Sequence, residues 1–295
     1  MTQQIPLDSR NRAEEIDRND DTREIAADLA YLRTVMVNVV FFGLPNAGDR
    51  KWVLIDAGIM GAKTAIKSAA EKRFGADARP AAIILTHGHF DHVGALEGLV
   101  GDWDTPVYAH PLEHPYLTGK ASYPEGDPSV GGGLMAGLSN LLPTHPVDIS
   151  AHLRPLSEDG SVPFMPGWRW VHTPGHSPGH VSLWREADRV LVAGDAVVTT
   201  AAESAYATAF QTAELHGPPK YFTIDWVKAR ASAETLARLR PDLLITGHGR
   251  AMAGNKMTEA LSTLARDFDH VAVPTEGRYV GHPATAEDGS AYVTP

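Results

Sequence analysis

The chain has 295 residues, enough to bury a large core in one big α/β domain or two small ones. Its 26 Lys+Arg against 36 Asp+Glu give a net charge of −10, so its mean field repels nucleic acid and anionic membrane surfaces, and no basic run offsets it. Cysteine is absent, which excludes disulfides, thiolate ligands and a cysteine nucleophile; a metal site here must be built from imidazole and carboxylate.

The opening residues, M-T-Q-Q-I-P-L-D-S-R, lack the basic start and apolar segment of a secretory signal. No run approaches the ~18 apolar residues of a membrane span, and the expected location is cytoplasmic. Residues 8–33 are charged and partly helical in pattern, which predicts an N-terminal arm or helix over 1–34. V-M-V-N-V-V-F-F (35–42) and K-W-V-L-I-D-A-G (51–58) read as strands joined by a turn-rich segment. Residues 60–73 form an amphipathic helical pattern, A-A-I-I-L (81–85) a strand buried on both faces, and 91–100 a helix. P-V-Y-A-H (106–110) is a further strand. Residues 111–160 are irregular and rich in Gly and Pro, a length typical of a functional covering connection. Strands return at 168–172, 180–184 and 189–193; a helix at 225–240, a strand at 242–246 and a helix at 255–268 follow. The main domain is expected over 35–270, with 271–295 as a C-terminal arm packed on it.

One pattern recurs: strands end directly in Gly, Thr and a potential ligand, as in I-I-L-T-H-G-H, V-H-T-P-G-H, V-L-V-A-G-D and L-L-I-T-G-H-G. α/β proteins gather sites beyond strand ends in this way, whether two sheets are sandwiched or one sheet is open. T-H-G-H-F-D-H (86–92) crowds three histidines and an aspartate into one turn. His87 and His89 can point to one side, whereas Asp91 and His92 are neighbours at a helix start and diverge by about 100°. Two adjacent metals accommodate all four. His176, Asp195 and His248 supply the remaining ligands, and Asp195, a carboxylate, is the group able to bridge. His110, His114, His145, His152, His172, His216, His270 and His282 read as ordinary hydrogen-bonded or surface residues, and His180 as the start of a strand.

These motifs in this order, over about residues 35–250, resemble the metallo-β-lactamase superfamily. The resemblance implies an αββα four-layer sandwich, two mixed β-sheets flanked by helices, with a dinuclear centre at the sheet edges. It implies that His87, His89 and His176 bind the first metal, that Asp91, His92 and His248 bind the second, and that Asp195 bridges. Asp56, in L-I-D-A-G, matches a supporting strand-end aspartate. Without cysteine, the chain is similar to the glyoxalase II and lactonase-like branches rather than to the antibiotic-degrading enzymes with a cysteine ligand. Only one clear helix and a short tail follow His248, which argues against a true glyoxalase II with its helical C-terminal domain.

The expected cofactors are two divalent metal ions, Zn²⁺ first, with Fe, Mn or Co fitting the same donors. The expected activity is a hydrolase that uses metal-activated hydroxide on an ester, lactone or thioester carbonyl, with Asp91 both ligand and orienter of the nucleophile. The alternatives are a glyoxalase II-like thioesterase specifically, or a mononuclear iron oxygenase like the persulfide dioxygenases. Tyr206, Phe210, Tyr221, Phe222 and Trp226 suggest an aromatic rim for an apolar small-molecule substrate; Tyr206 is the first candidate to lean over the metals, and His216 and Lys220 could meet a substrate carboxylate. No nucleic acid or membrane partner is expected. A homodimer would use the N-terminal segment, the 126–138 loop or the C-terminal arm.

Overall fold

A computed structural model describes residues 5–7, 9–130, 137–201 and 213–295. Tyr206 and Phe210 lie outside the described residues, as does part of the 126–138 loop. Among the described residues, fifteen strands build a two-stranded, a five-stranded and an eight-stranded sheet. The large sheet runs in sequence order from β2 (Ile16–Asp17) through β3 (Arg23–Ala26), β4 (Leu29–Thr34), β5 (Val37–Phe42), β6 (Val53–Ile55), β7 (Ala82–Ile84) and β8 (Val107–Ala109) to β9 (Leu153–Pro155). It is antiparallel as far as β6 and parallel beyond. The second sheet has the order β10 (Trp168–His172), β11 (Val181–Arg185), β12 (Val190–Val192), β14 (Leu243–Ile245) and β15 (Met252–Ala253), with β12 and β14 parallel. A short ribbon pairs β1 (Ile5–Pro6) with β13 (Glu214–Leu215).

Period-2 burial explains how the sheets stack. In β6, Leu54 faces outward onto helices α1 (Lys63–Phe74) and α3 (Leu96–Trp103), in a core with Phe41, Ile66, Phe74 and Leu99. Its neighbours Val53 and Ile55 face the other way, into a core shared with Val181, Leu183, Val192 and Ile245 of the second sheet. A third core joins that sheet's outer face, at Leu191 and Leu244, to α5 (Trp226–Leu239) and α6 (Asn255–Arg266). Three apolar layers separate four layers of secondary structure, and the fold is an αββα sandwich of two mixed sheets. Two single-turn helices, α2 (Phe90–Val93) and α4 (His114–Leu117), and the terminal turn α7 (Phe268–Val271) complete the described helices.

The helical expectation over 8–33 is corrected: this segment contains β2, β3 and β4, which extend the large sheet beyond β5. Its charges are satisfied across the fold, not along a helix face. Arg73 of α1, wholly buried, bonds Glu24 at 3.1 Å and lies 3.4 Å from Asp20. The strand read at 35–42 begins at Val37, because Val35 sits in the turn of the β4–β5 hairpin with φ 64°. Among the described residues, no helix is long and apolar enough to cross a membrane.

Candidate metal centre

Two pairs of parallel strands, one pair in each large sheet, deliver most of the candidate residues to one edge. Asp56 follows β6, the 86–92 turn follows β7, Asp195 follows β12 and His248 follows β14. His176 arrives in the turn between β10 and β11. All seven proposed ligands are buried: His87, His89, Asp91, His92, His176, Asp195 and His248 are each at most 6% exposed.

The seven side chains meet. One ligand atom from each of His87, His89 and His176 lies within 4.8 Å of the others, and the same holds for Asp91, His92 and His248. A third such group, His87, His92 and Asp195, links the other two. Asp195 reaches both sides, with Oδ1 3.5 Å from His92 Nε2, and Oδ2 3.5 Å from His176 Nε2 and 3.2 Å from His248 Nε2. Such closeness requires glycine at 247, where a Cβ would lie 2.0 Å from Asp195 Oδ1.

Outer hydrogen bonds fix which nitrogen of each ring faces inward. His92 Nδ1 is 2.8 Å from Asp56 Oδ2, His248 Nδ1 2.9 Å from the Met36 carbonyl, and His176 Nδ1 3.3 Å from Thr223 Oγ1. His87 Nδ1 is 3.1 Å from Thr86 Oγ1, whose hydroxyl donates to Asp56 Oδ2 at 2.8 Å. In the neutral form of each ring, a proton on the outer nitrogen leaves the Nε2 lone pair pointing into the site. His89 is reversed, presenting Nδ1 to His176 Nε2 at 2.9 Å.

Electrostatics fit a cationic occupant. Burial, reinforced by neighbouring imidazoles, pushes His87 and His176 well below the usual histidine range and brings His89 to about 4. Neutral imidazole is the form that binds metal. Burial also opposes charge on His92 and His248, but the carboxylates outweigh it, raising His92 and taking His248 up to about 10. Asp91 and Asp195, though buried, stay ionised beside them. His87 Nε2, His92 Nε2 and Asp195 Oδ1 are buried without a hydrogen-bond partner, a costly state that coordination would relieve. The donor set of nitrogen and carboxylate oxygen suits borderline and hard divalent ions, and these residues fit a di-metal site.

Other expectations resolve differently. Trp226 belongs to the core beneath α5, and His216 is held by Glu214 at 3.0 Å. Lys220 and Tyr221 are buried. Phe222 stacks on the His89 ring, with centroids 5.0 Å apart, and packs with Val130, Phe90 and Leu142. His180 does more than open a strand: fully buried, its Nε2 accepts the Asp195 backbone N–H at 2.9 Å. The sequence reading also passed over Asn38, whose amide donates to the Thr246 and Gly249 carbonyls around His248 at 2.9 and 2.7 Å. A polar residue inside V-M-V-N-V-V-F-F was the signal available there. Glu113 and Tyr123, also passed over, carried no such signal.

The family model described as "Metallo-beta-lactamase superfamily" matches residues 32–248. The chain is 49% identical over 248 residues to the "probable metallo-hydrolase YflN" of Bacillus subtilis (strain 168), covering 84% of this chain and 94% of that protein. It is 30% identical over 178 residues to the "probable metallo-hydrolase YybB" of the same organism, covering 60% and 68%. Among solved structures, the Rm3 metallo-beta-lactamase aligns with a TM-score of 0.58 at 20% identity, over 88% of this chain and 96% of that one. A beta-lactamase domain protein from Burkholderia ambifaria aligns with a TM-score of 0.57 at 22% identity, over 87% and 79%.

Proposed function

The chain belongs to the metallo-beta-lactamase superfamily and is a metal-dependent hydrolase; from that premise we propose that it cleaves a carboxylic ester, lactone or thioester at a dinuclear centre. The observation that carries this reading is the doubled ligand set, two triads linked through one aspartate. His87, His89 and His176 would hold one ion, Asp91, His92 and His248 the other, and Asp195 both. Zn²⁺ is the proposed occupant. Two such ions supply Lewis acidity and make water nucleophilic near neutral pH.

The protein's own part is positional. Asp56, Thr86, Thr223 and the Met36 carbonyl orient the imidazoles, and burial excludes bulk water from the ligand atoms. Asp91, its Oδ2 3.3 Å from His248 Nε2, would ligate and would also orient the nucleophile. The Phe222 ring against His89, in a cluster with Val130, favours an apolar acyl group over a phosphodiester. We extend the reading to Tyr206 as a substrate contact, on its place in the aromatic stretch alone.

The test combines metal content of the purified protein with a panel of lactone, thioester, β-lactam and phosphodiester substrates. Close to two metals per chain and chelator-sensitive carbonyl hydrolysis are expected. Full activity after verified metal removal would sink the proposal, and a single iron per chain with oxygen consumption on a persulfide would replace it.

A further inference from the structure

The 111–160 connection contributes a buried carboxylate to the heart of the site. Glu113, in the turn that follows β8, is wholly buried. Its Oε1 accepts from Ser177 Oγ at 2.8 Å and from the Gly179 N–H at 2.7 Å. Its Oε2 accepts from the Gly88 N–H at 2.9 Å and from the Tyr123 hydroxyl. Gly88 lies between His87 and His89, and Ser177 directly follows His176. One carboxylate oxygen therefore grips the ligand turn of the first sheet and the other grips the ligand turn of the second.

We infer that Glu113 is a positioning residue for the His87, His89 and His176 triad, clamping its two loops across the sheet interface. The inference rests on the ligand set proposed above. Two details make it more than a buried polar network. Tyr123 not only bonds Glu113 but lays its ring against His89, centroids 4.3 Å apart, and accepts the Gly88 N–H at 2.9 Å. The clamp also explains two motif glycines: a Cβ on Gly88 would lie 2.8 Å from the Tyr123 hydroxyl, and one on Gly179 2.8 Å from Glu113 Cγ and 2.9 Å from its Oε1. Both loops are shaped around this carboxylate. Because each oxygen accepts from two donors, a glutamine amide must turn its NH₂ toward N–H and O–H groups on one side or the other.

The experiment compares wild type and Glu113→Gln by Zn²⁺ titration with chelator competition, and by anomalous scattering to assign occupancy to each triad. Expected is a loss of about 10- to 100-fold in affinity confined to the His87, His89 and His176 position, the size that outer-shell partners usually carry. Unchanged affinities, or equal loss at both positions, would overturn the inference. If Glu113→Gln does not fold, Tyr123→Phe and Ser177→Ala, each removing one hydroxyl, carry the same test. Each should weaken that position by roughly 2- to 10-fold, and no change in either overturns the inference. A wild type that binds no metal pair defeats the ligand assignment itself, and does so before any variant is compared.

Discussion

Replacing Asp56 by asparagine changes one atom and should disturb both metals. Asp56 is 3% exposed and sits at φ 61°, a left-handed conformation that asparagine tolerates at least as well as aspartate, so the backbone is not a confounding cost. Its Oδ1 accepts the Thr86 backbone N–H at 2.8 Å, a donor that cannot turn away. The asparagine carbonyl must take that place, which puts NH₂ where Oδ2 now accepts from His92 Nδ1 and Thr86 Oγ1, each at 2.8 Å. A neutral imidazole has one proton. Facing an NH₂, His92 Nδ1 becomes the acceptor and the proton moves to Nε2, the nitrogen aimed at Asp195. Thr86 then receives rather than gives toward residue 56, and its hydroxyl turns to His87 Nδ1, 3.1 Å away, which moves that ring's proton inward as well. His87 and His92 belong to different triads. The variant should therefore lose about 10- to 100-fold in both stepwise Zn²⁺ affinities, about 1.4–2.7 kcal/mol each, measured by chelator competition at neutral pH. Metal-free, the variant should unfold at a lower denaturant concentration than wild type, because Asp56 is a buried charged partner of His92. A variant that binds both ions as tightly as wild type would refute the tautomer reasoning.

Further outcomes test other parts of the molecule. Asp195→Ala should abolish binding of the metal pair and activity while circular dichroism stays near wild type; retained activity would exclude Asp195 as the bridge. Arg73→Met takes the buried guanidinium from Glu24, which keeps Arg18, and from Asp20, which keeps the Thr22 hydroxyl and N–H, and should cost about 1.5–3 kcal/mol by denaturant titration; a change near zero would show that Arg73 adds nothing. Gly88→Ala should destabilise by about 1–3 kcal/mol through overpacking, and adding Tyr123→Phe should recover part of that because the nearest atom, 2.8 Å away, is then gone. No recovery in the double variant would place the strain elsewhere.

The site lay close to the surface of the sequence because parallel strands announce themselves. A-A-I-I-L and D-L-L-I-T are continuous apolar runs, as burial on both faces demands, and each hands over directly to Thr, Gly and His. The sandwich followed from a family resemblance that rests on those same strand ends. The N-terminal strands were hidden for the opposite reason. R-E-I-A-A-D-L-A-Y-L carries charges paired across strands and across the fold: Glu24 with Arg18 and with Arg73, 49 residues on, and Arg23 with Glu15. Read locally, such charges imitate the polar face of a helix. Glu113 was hidden more thoroughly, since its four donors come from three other segments of the chain and nothing in P-L-E-H-P foretells them.

The division of labour within the fold follows from where each group is rooted. Asp56, the 86–92 turn, Asp195 and His248 stand on strands locked by the inter-sheet core of Val53, Ile55, Ile84, Val192 and Ile245. Neither sheet alone completes a triad, so the geometry of the metal pair is set by how the sheets dock, an arrangement that close packing holds fixed. The groups against the outer side of His89, namely Tyr123, Phe222 and behind it Val130, come instead from connections between strands. Of these, Tyr123 is tied into the Glu113 clamp, whereas Phe222 meets His89 ring against ring. The candidate ligands thus belong to the sandwich and the groups beside His89 to its covering segments, joined at a single buried carboxylate.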